Sequence, residues 1–77
     1  MPIAFVLINT NMGSMEETLK DLNKISNVKE AHLVYGVYDI VAKVEAESMT
    51  KLKEIVTWKI RRLETVKSTL SMIVMSE

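Results

Sequence analysis

Residues able to do chemistry are few in this chain, and they concentrate in two short stretches. The first is Val34-Tyr35-Gly36-Val37-Tyr38-Asp39, where a glycine precedes an aspartate by three residues. Glycine permits positive φ and lets a ligand approach the backbone closely. Amides exposed at such a turn hold a carboxylate in the way backbone nests hold anions, and Asp39 offers a partner for an ammonium group. The second stretch is the last apolar run, in which Ser68, Thr69 and Ser71 place hydroxyls among Leu70, Met72 and Ile73. Anion-binding amides, one carboxylate and nearby hydroxyls would suit a free α-amino acid. The same residues also read as an ordinary turn, with a glycine that bends it, an aspartate that fixes it and polar groups at a strand start. Residue types alone leave both readings open.

Catalysis has less to work with. A nucleophile needs a base and an orienting group, and the chain has one histidine and no cysteine. His32 and Glu30 fall on the same face of an alternating stretch, a spacing that fits a surface or interface ion pair better than an acid/base or metal pair. We therefore expect no enzyme activity, no cofactor and no metal. The absence of cysteine fits a reducing compartment.

These residues need a frame to position them. Ile3 to Asn9 is a continuous apolar run rich in strand formers, as expected of a strand covered on both faces. The run stops at Thr10-Asn11-Met12-Gly13. Ser14 then opens a helix, with Glu17 at capping-box spacing, and Met15, Leu19, Leu22 and Ile25 mark its apolar face. Val28 to Tyr35 alternates, with Ala31, Leu33 and Tyr35 on one side and Val28, Glu30, His32 and Val34 on the other. Asp39 to Ala46 alternates again, and two strands about a lone glycine predict a β-hairpin. Ser48 caps a second helix whose stripe is Met49, Leu52, Val56, Ile60 and Leu63, with Ile55 on its margin and Trp58 well off it. Val66 to Met75 closes the chain as a strand.

Two β-α-β halves of this kind predict a single α+β domain over residues 1–77 with a ferredoxin-like βαββαβ fold. The right-handed crossover rule places both helices on one face of a four-stranded antiparallel sheet, with the first and third strands in the middle. The other face stays open. In the first strand Ile3, Phe5 and Leu7 point one way and Ala4, Val6 and Ile8 the other, so either set left outside is apolar. A chain of 77 residues buries only a little over ~60% of its unfolded surface and is marginally stable by itself. With neither disulfide nor metal to help, self-association is the remaining route. Two such sheets stacked face to face would cover ~600–1,000 Å² per partner, the scale of a specific interface.

Charge and hydropathy narrow the partners. Ten basic and ten acidic residues give a net charge of zero, unlike the basic footprint of a nucleic-acid binder. The N-terminus lacks the pattern of a signal peptide, and no apolar run approaches the ~20 residues of a membrane span. The expectation is a cytoplasmic protein that binds neither DNA nor membrane.

The order of these motifs resembles one family. Val28 to Ile40, with Gly36 three residues before Asp39, is similar to the hairpin of the Lrp/AsnC regulators. Val66-Lys67-Ser68-Thr69-Leu70-Ser71-Met72-Ile73-Val74 is similar to that family's closing "V-x-x-T-x-T-x-x-V" strand. Ser71 replaces the second threonine and keeps a hydroxyl, and Ser68 stands where many members carry arginine. The resemblance covers essentially the whole chain but only the C-terminal half of a typical member, without the helix-turn-helix half that contacts DNA. It implies a stand-alone RAM domain of the dimeric α+β barrel type, which dimerises through its sheets and assembles further, often into octamers. Amino-acid effectors would bind between dimers. Carried over by position, the ligand-binding residues are Tyr35, Gly36, Val37, Tyr38, Asp39, Thr69 and Ser71. Modulation of transcription would then be indirect, through full-length relatives. Two alternatives stay open: a small dimeric oxygenase or isomerase with His32 in a pocket between sheet and helices, and a scaffold that takes no ligand.

Overall fold

The computed structural model describes residues 1–75; Ser76 and Glu77 lie outside the described residues. The elements run β1 (Ile3–Thr10), α1 (Met15–Asn23), β2 (Val28–Leu33), β3 (Ile40–Glu45), α2 (Met49–Glu54) and β4 (Val66–Ile73). Between α2 and β4 the helix continues as a π-helical segment, Ile55–Ile60. The strands form one antiparallel sheet in the order β2-β3-β1-β4, so β1 and β3 are central as expected.

Period-2 side-chain alternation decides which residues meet the helices. Ala4, Val6 and Ile8 of β1 and Ile40, Ala42 and Val44 of β3 are buried, in one cluster with Leu22 of α1 and with Leu52, Ile55, Val56 and Ile60 of the second helical stretch. Ile3, Phe5 and Leu7 therefore point outward. Across β1 and β4, Phe5 opposes Met72 and Leu7 opposes Leu70, and Phe5, Leu70 and Met72 stay exposed. The open apolar face is real, and β1 and β4 supply most of it.

Three local features differ from the sequence expectation. Ser14 sits at the α1 N-cap, but its side chain makes no capping hydrogen bond. Its carbonyl instead accepts from the backbone N–H of Thr18 and from the Thr18 hydroxyl at 2.7 Å. Thr18 is fully buried and also meets the Thr65 hydroxyl. Second, a register shift in β2 between Val28 and Glu30 sets Val28 against Val44 and Glu30 against Lys43. That irregularity moves Val28 to the helix side, away from Glu30 and His32, because an extra residue inverts the alternation. Third, Ile55 is core and not margin. Closure by i→i+5 hydrogen bonds aligns residues five apart, here Ile55 with Ile60, whereas an α-helical stripe runs through residues three and four apart. Ser48 does cap α2, accepting from Lys51 N–H at 3.1 Å. Among the described residues no helix is long and apolar enough to cross a membrane.

Candidate functional site

The loop between β2 and β3 spans residues 34–39, longer than a tight hairpin turn. Val34 N–H donates to the Asp39 carbonyl at its base. Tyr35 and Val37 are exposed at its tip, and Gly36 takes φ +152°, a conformation that L side chains rarely adopt. No atom would crowd a Cβ at Gly36, so the glycine is needed for backbone conformation and not for space. Tyr38 and Asp39 are half-buried at the base.

Asp39 is tied into the sheet. Its backbone N–H donates to Ile8 O at 2.9 Å. Its Oδ2 accepts from Thr10 N–H at 2.9 Å and from the Thr10 hydroxyl at 3.2 Å. The carboxylate thus ends β1 by satisfying a buried backbone donor, a structural task the sequence did not reveal. It also borders a cavity of about 310 Å³ lined by Thr10, Asn11, Gly13, Met15 and Lys67.

Thr69 and Ser71 lie elsewhere. Thr69 opposes Ile8 and Ser71 opposes Val6, both residues of the helix-facing set. The two hydroxyl residues therefore border the helix side of edge strand β4. There they line an open groove of about 340 Å³ with Leu52, Lys53, Val56, Thr57, Arg61 and Ile73. Thr69 and Ile40 flank Ile8 on opposite sides, so the hairpin base and the groove are separated by one strand, or ~10 Å between their Cα atoms. Within one chain the predicted residues divide into two neighbouring sites: Asp39 beside Lys67, and Thr69 with Ser71 beneath the second helical stretch. Tyr35, Gly36 and Val37 are exposed at the loop tip and line neither site. Sequence reasoning missed Lys53 of α2, and it missed Thr57 and Arg61 because the π-helical segment that places them has no period visible in the residues.

His32 is on the outward sheet face. Its Nε2 lies 3.2 Å from Glu30 Oε1, and Lys43 Nζ lies 3.8 Å from Glu30 Oε2. The ion-pair reading of this spacing matches that geometry. The pocket expected of a sheet-and-helix enzyme is on the other face, so His32 does not reach it. Among the described residues no three His, Cys, Asp or Glu side chains gather to hold a metal ion.

An open-faced ferredoxin-like sheet, with a projecting glycine hairpin and a groove under its second helix, defines a class of small α+β domain with one unpartnered apolar face. Comparison with known proteins makes the class specific. The family described as the Lrp/AsnC ligand binding domain matches residues 3–77, and the chain belongs to it. An uncharacterized HTH-type transcriptional regulator of Pyrococcus furiosus is 36% identical over 73 residues, covering 91% of this chain and 49% of that protein. AsnC of E. coli superposes with a TM-score of 0.92 at 26% identity, over 99% of this chain and 52% of that one. A transcriptional regulator of Neisseria meningitidis, solved as its L-Met complex, shares the fold with a TM-score of 0.88 at 17% identity, over 99% of this chain and 51% of its own. The chain spans about half the length of these proteins.

Proposed function

We propose that the chain is a non-enzymatic module that binds an amino-acid effector and self-assembles, and that it modulates Lrp/AsnC-type regulators through that assembly. The observation that carries this reading is the outward sheet face. Phe5, Leu70 and Met72 are each 38–48% exposed and lie on two paired strands. A contiguous apolar patch on paired strands marks an interaction surface better than scattered exposed residues do. A second copy stacked through a two-fold axis would cover it with the same residues.

Assembly also supplies what one chain lacks. The groove residues Thr69 and Ser71 and the loop tip at Tyr35, Gly36 and Val37 do not meet within a chain, whereas a projecting loop reaches a neighbour's groove. Ligand bound at such a junction shifts the assembly equilibrium by its preference for the assembled state. The carboxylate would meet the amides near Gly36 and the hydroxyls of β4, with Asp39 and Tyr38 closing the polar end. An L-Met complex of a regulator with the same fold is consistent with an amino acid as the effector. The proposed route to transcription is co-assembly with full-length relatives in the cytoplasm. Residues 1–77 act as one RAM-type domain in this scheme, with no cofactor.

The test combines thermal unfolding and light scattering on the chain with each of the twenty amino acids. Ligand that binds only the native state raises the melting temperature by mass action. One or a few amino acids should do so and also change the oligomer mass. A dimer that responds to none is a scaffold and refutes the effector reading. A monomer at high concentration refutes the assembly reading.

A further inference from the structure

The groove beneath the second helical stretch has a chemical character of its own. Among the described residues, its polar lining consists of two cations, Lys53 and Arg61, and three hydroxyls, Thr57, Thr69 and Ser71, with no carboxylate. Its floor is apolar, with Leu52, Val56 and Ile73. Among the described residues, Lys53 and Arg61 take part in no ion pair and none of the three hydroxyls takes part in a side-chain hydrogen bond. No described residue compensates the charge of this groove.

Helix geometry explains how the second cation arrives there. Arg61 N–H donates to Val56 O at 3.0 Å, an i→i+5 bond. This closure sets Arg61 nearly above Val56, on the face that borders β4. In an ordinary α-helix a residue five positions on turns well away from its partner. Short π-helical insertions are uncommon and occur often at functional sites. Here the insertion buries Ile55 and Ile60 on one side and brings Arg61 to the groove on the other.

We propose that this groove selects the effector by charge, and that the effector is an acidic α-amino acid whose side-chain carboxylate sits between Lys53 and Arg61. The inference rests on the amino-acid-binding reading above and specifies its ligand. A neutral amino acid brings equal positive and negative charge to a groove that offers only positive charge. Aspartate or glutamate brings a net negative charge, and its methylene groups fit over Leu52 and Val56. Guanidinium and hydroxyl donors suit a carboxylate, because charge-assisted hydrogen bonds are the strong ones and arginine's planar fork matches the two oxygens.

The experiment compares isosteric pairs on the intact chain. Binding of L-glutamate and L-glutamine, and of L-aspartate and L-asparagine, is measured by calorimetry at low ionic strength. One acid should bind about tenfold or more tightly than its amide, the equivalent of one charge-assisted contact. The margin should shrink as salt is added. R61Q, and separately K53Q, should each remove most of that margin. Both residues are exposed, and circular dichroism checks that each variant keeps the wild-type fold. Equal binding of acid and amide overturns the charge selection while leaving amino-acid binding in place. An acid preference that survives both substitutions places the ligand elsewhere and overturns the groove assignment. No binding by any amino acid refutes the effector reading itself, and this inference with it.

Discussion

Met72 tests the proposed sheet-to-sheet assembly most directly. It lies on edge strand β4, opposite Phe5, and is 48% exposed. Burying a whole methionine side chain is worth ~1.5–3 kcal/mol, so covering the exposed half contributes roughly 1 kcal/mol per copy. A two-fold interface uses the residue twice, which brings the contribution to about 2 kcal/mol per dimer. Met72→Ala should therefore weaken dimerisation about thirtyfold, at 1.4 kcal/mol per factor of ten. Met72→Glu should do more, because each copy would carry a carboxylate into the interface without a partner. Sedimentation equilibrium over a wide concentration range measures the dissociation constant, and far-UV circular dichroism confirms the fold. An unchanged dissociation constant in both variants would show that the sheets do not meet face to face.

Substitutions at three further sites follow from the hydrogen bonds and core. Asp39→Ala should leave the buried Thr10 N–H without its acceptor, at a cost of ~1–3 kcal/mol, and lower the melting temperature by roughly 4–8 °C per kcal/mol. Asp39→Asn keeps an acceptor oxygen and should restore most of that stability while losing the charge that would face an ammonium group; equal melting temperatures for wild type and Asp39→Ala would refute the structural role. Thr18→Val should cost about 1 kcal/mol in urea unfolding, because it removes the bond to Ser14 O and strands the Thr65 hydroxyl. Ile60→Ala, at a site with no exposed surface, should cost ~2–5 kcal/mol. Against typical total stabilities of ~5–15 kcal/mol that is a large fraction, and the melting temperature read by circular dichroism should fall by roughly 4–8 °C per kcal/mol lost; an unchanged melting temperature would refute the core placement of Ile60.

The strand faces were legible because β1 and β3 keep a strict period of two. Ala4, Val6 and Ile8 could be separated from Ile3, Phe5 and Leu7 by counting, and only the choice of inner set needed the structure. Where counting failed, an inserted residue or an altered helical turn had changed the period. The shift at Lys29 reversed Val28, and the π-helical segment moved Ile55 into the core and Arg61 to the groove. Capping was legible at Ser48 and misleading at Ser14, since residue type marks where a helix starts without saying which donor the side chain reaches. Net charge was misleading in a different way. The ten basic residues include five between Lys51 and Arg62, against one acid, Glu54, in that stretch. A neutral total concealed a basic helix, and two of its cations line the groove.

The candidate ligand residues show how far a spacing carries. Gly36 and Asp39 do mark a special loop, and Thr69 and Ser71 do open onto a cavity, yet one chain does not join them. Asp39 already holds Thr10, so its carboxylate is rigid and has one oxygen, Oδ1, with no bond to the described protein groups. A carboxylate fixed in this way suits a ligand ammonium, because the backbone bond that anchors it also sets its direction. Hydroxyls one strand away, under a different helix, suit the other end of a ligand only if a neighbouring copy brings its own loop to them. In the proposed assembly the open sheet would make the first pairing of chains, and the projecting loops would then make a second. A ligand held between loop and groove would be an added contact in that second step alone. Effector binding should accordingly change the higher assembly and leave the Met72-dependent dimer as it was.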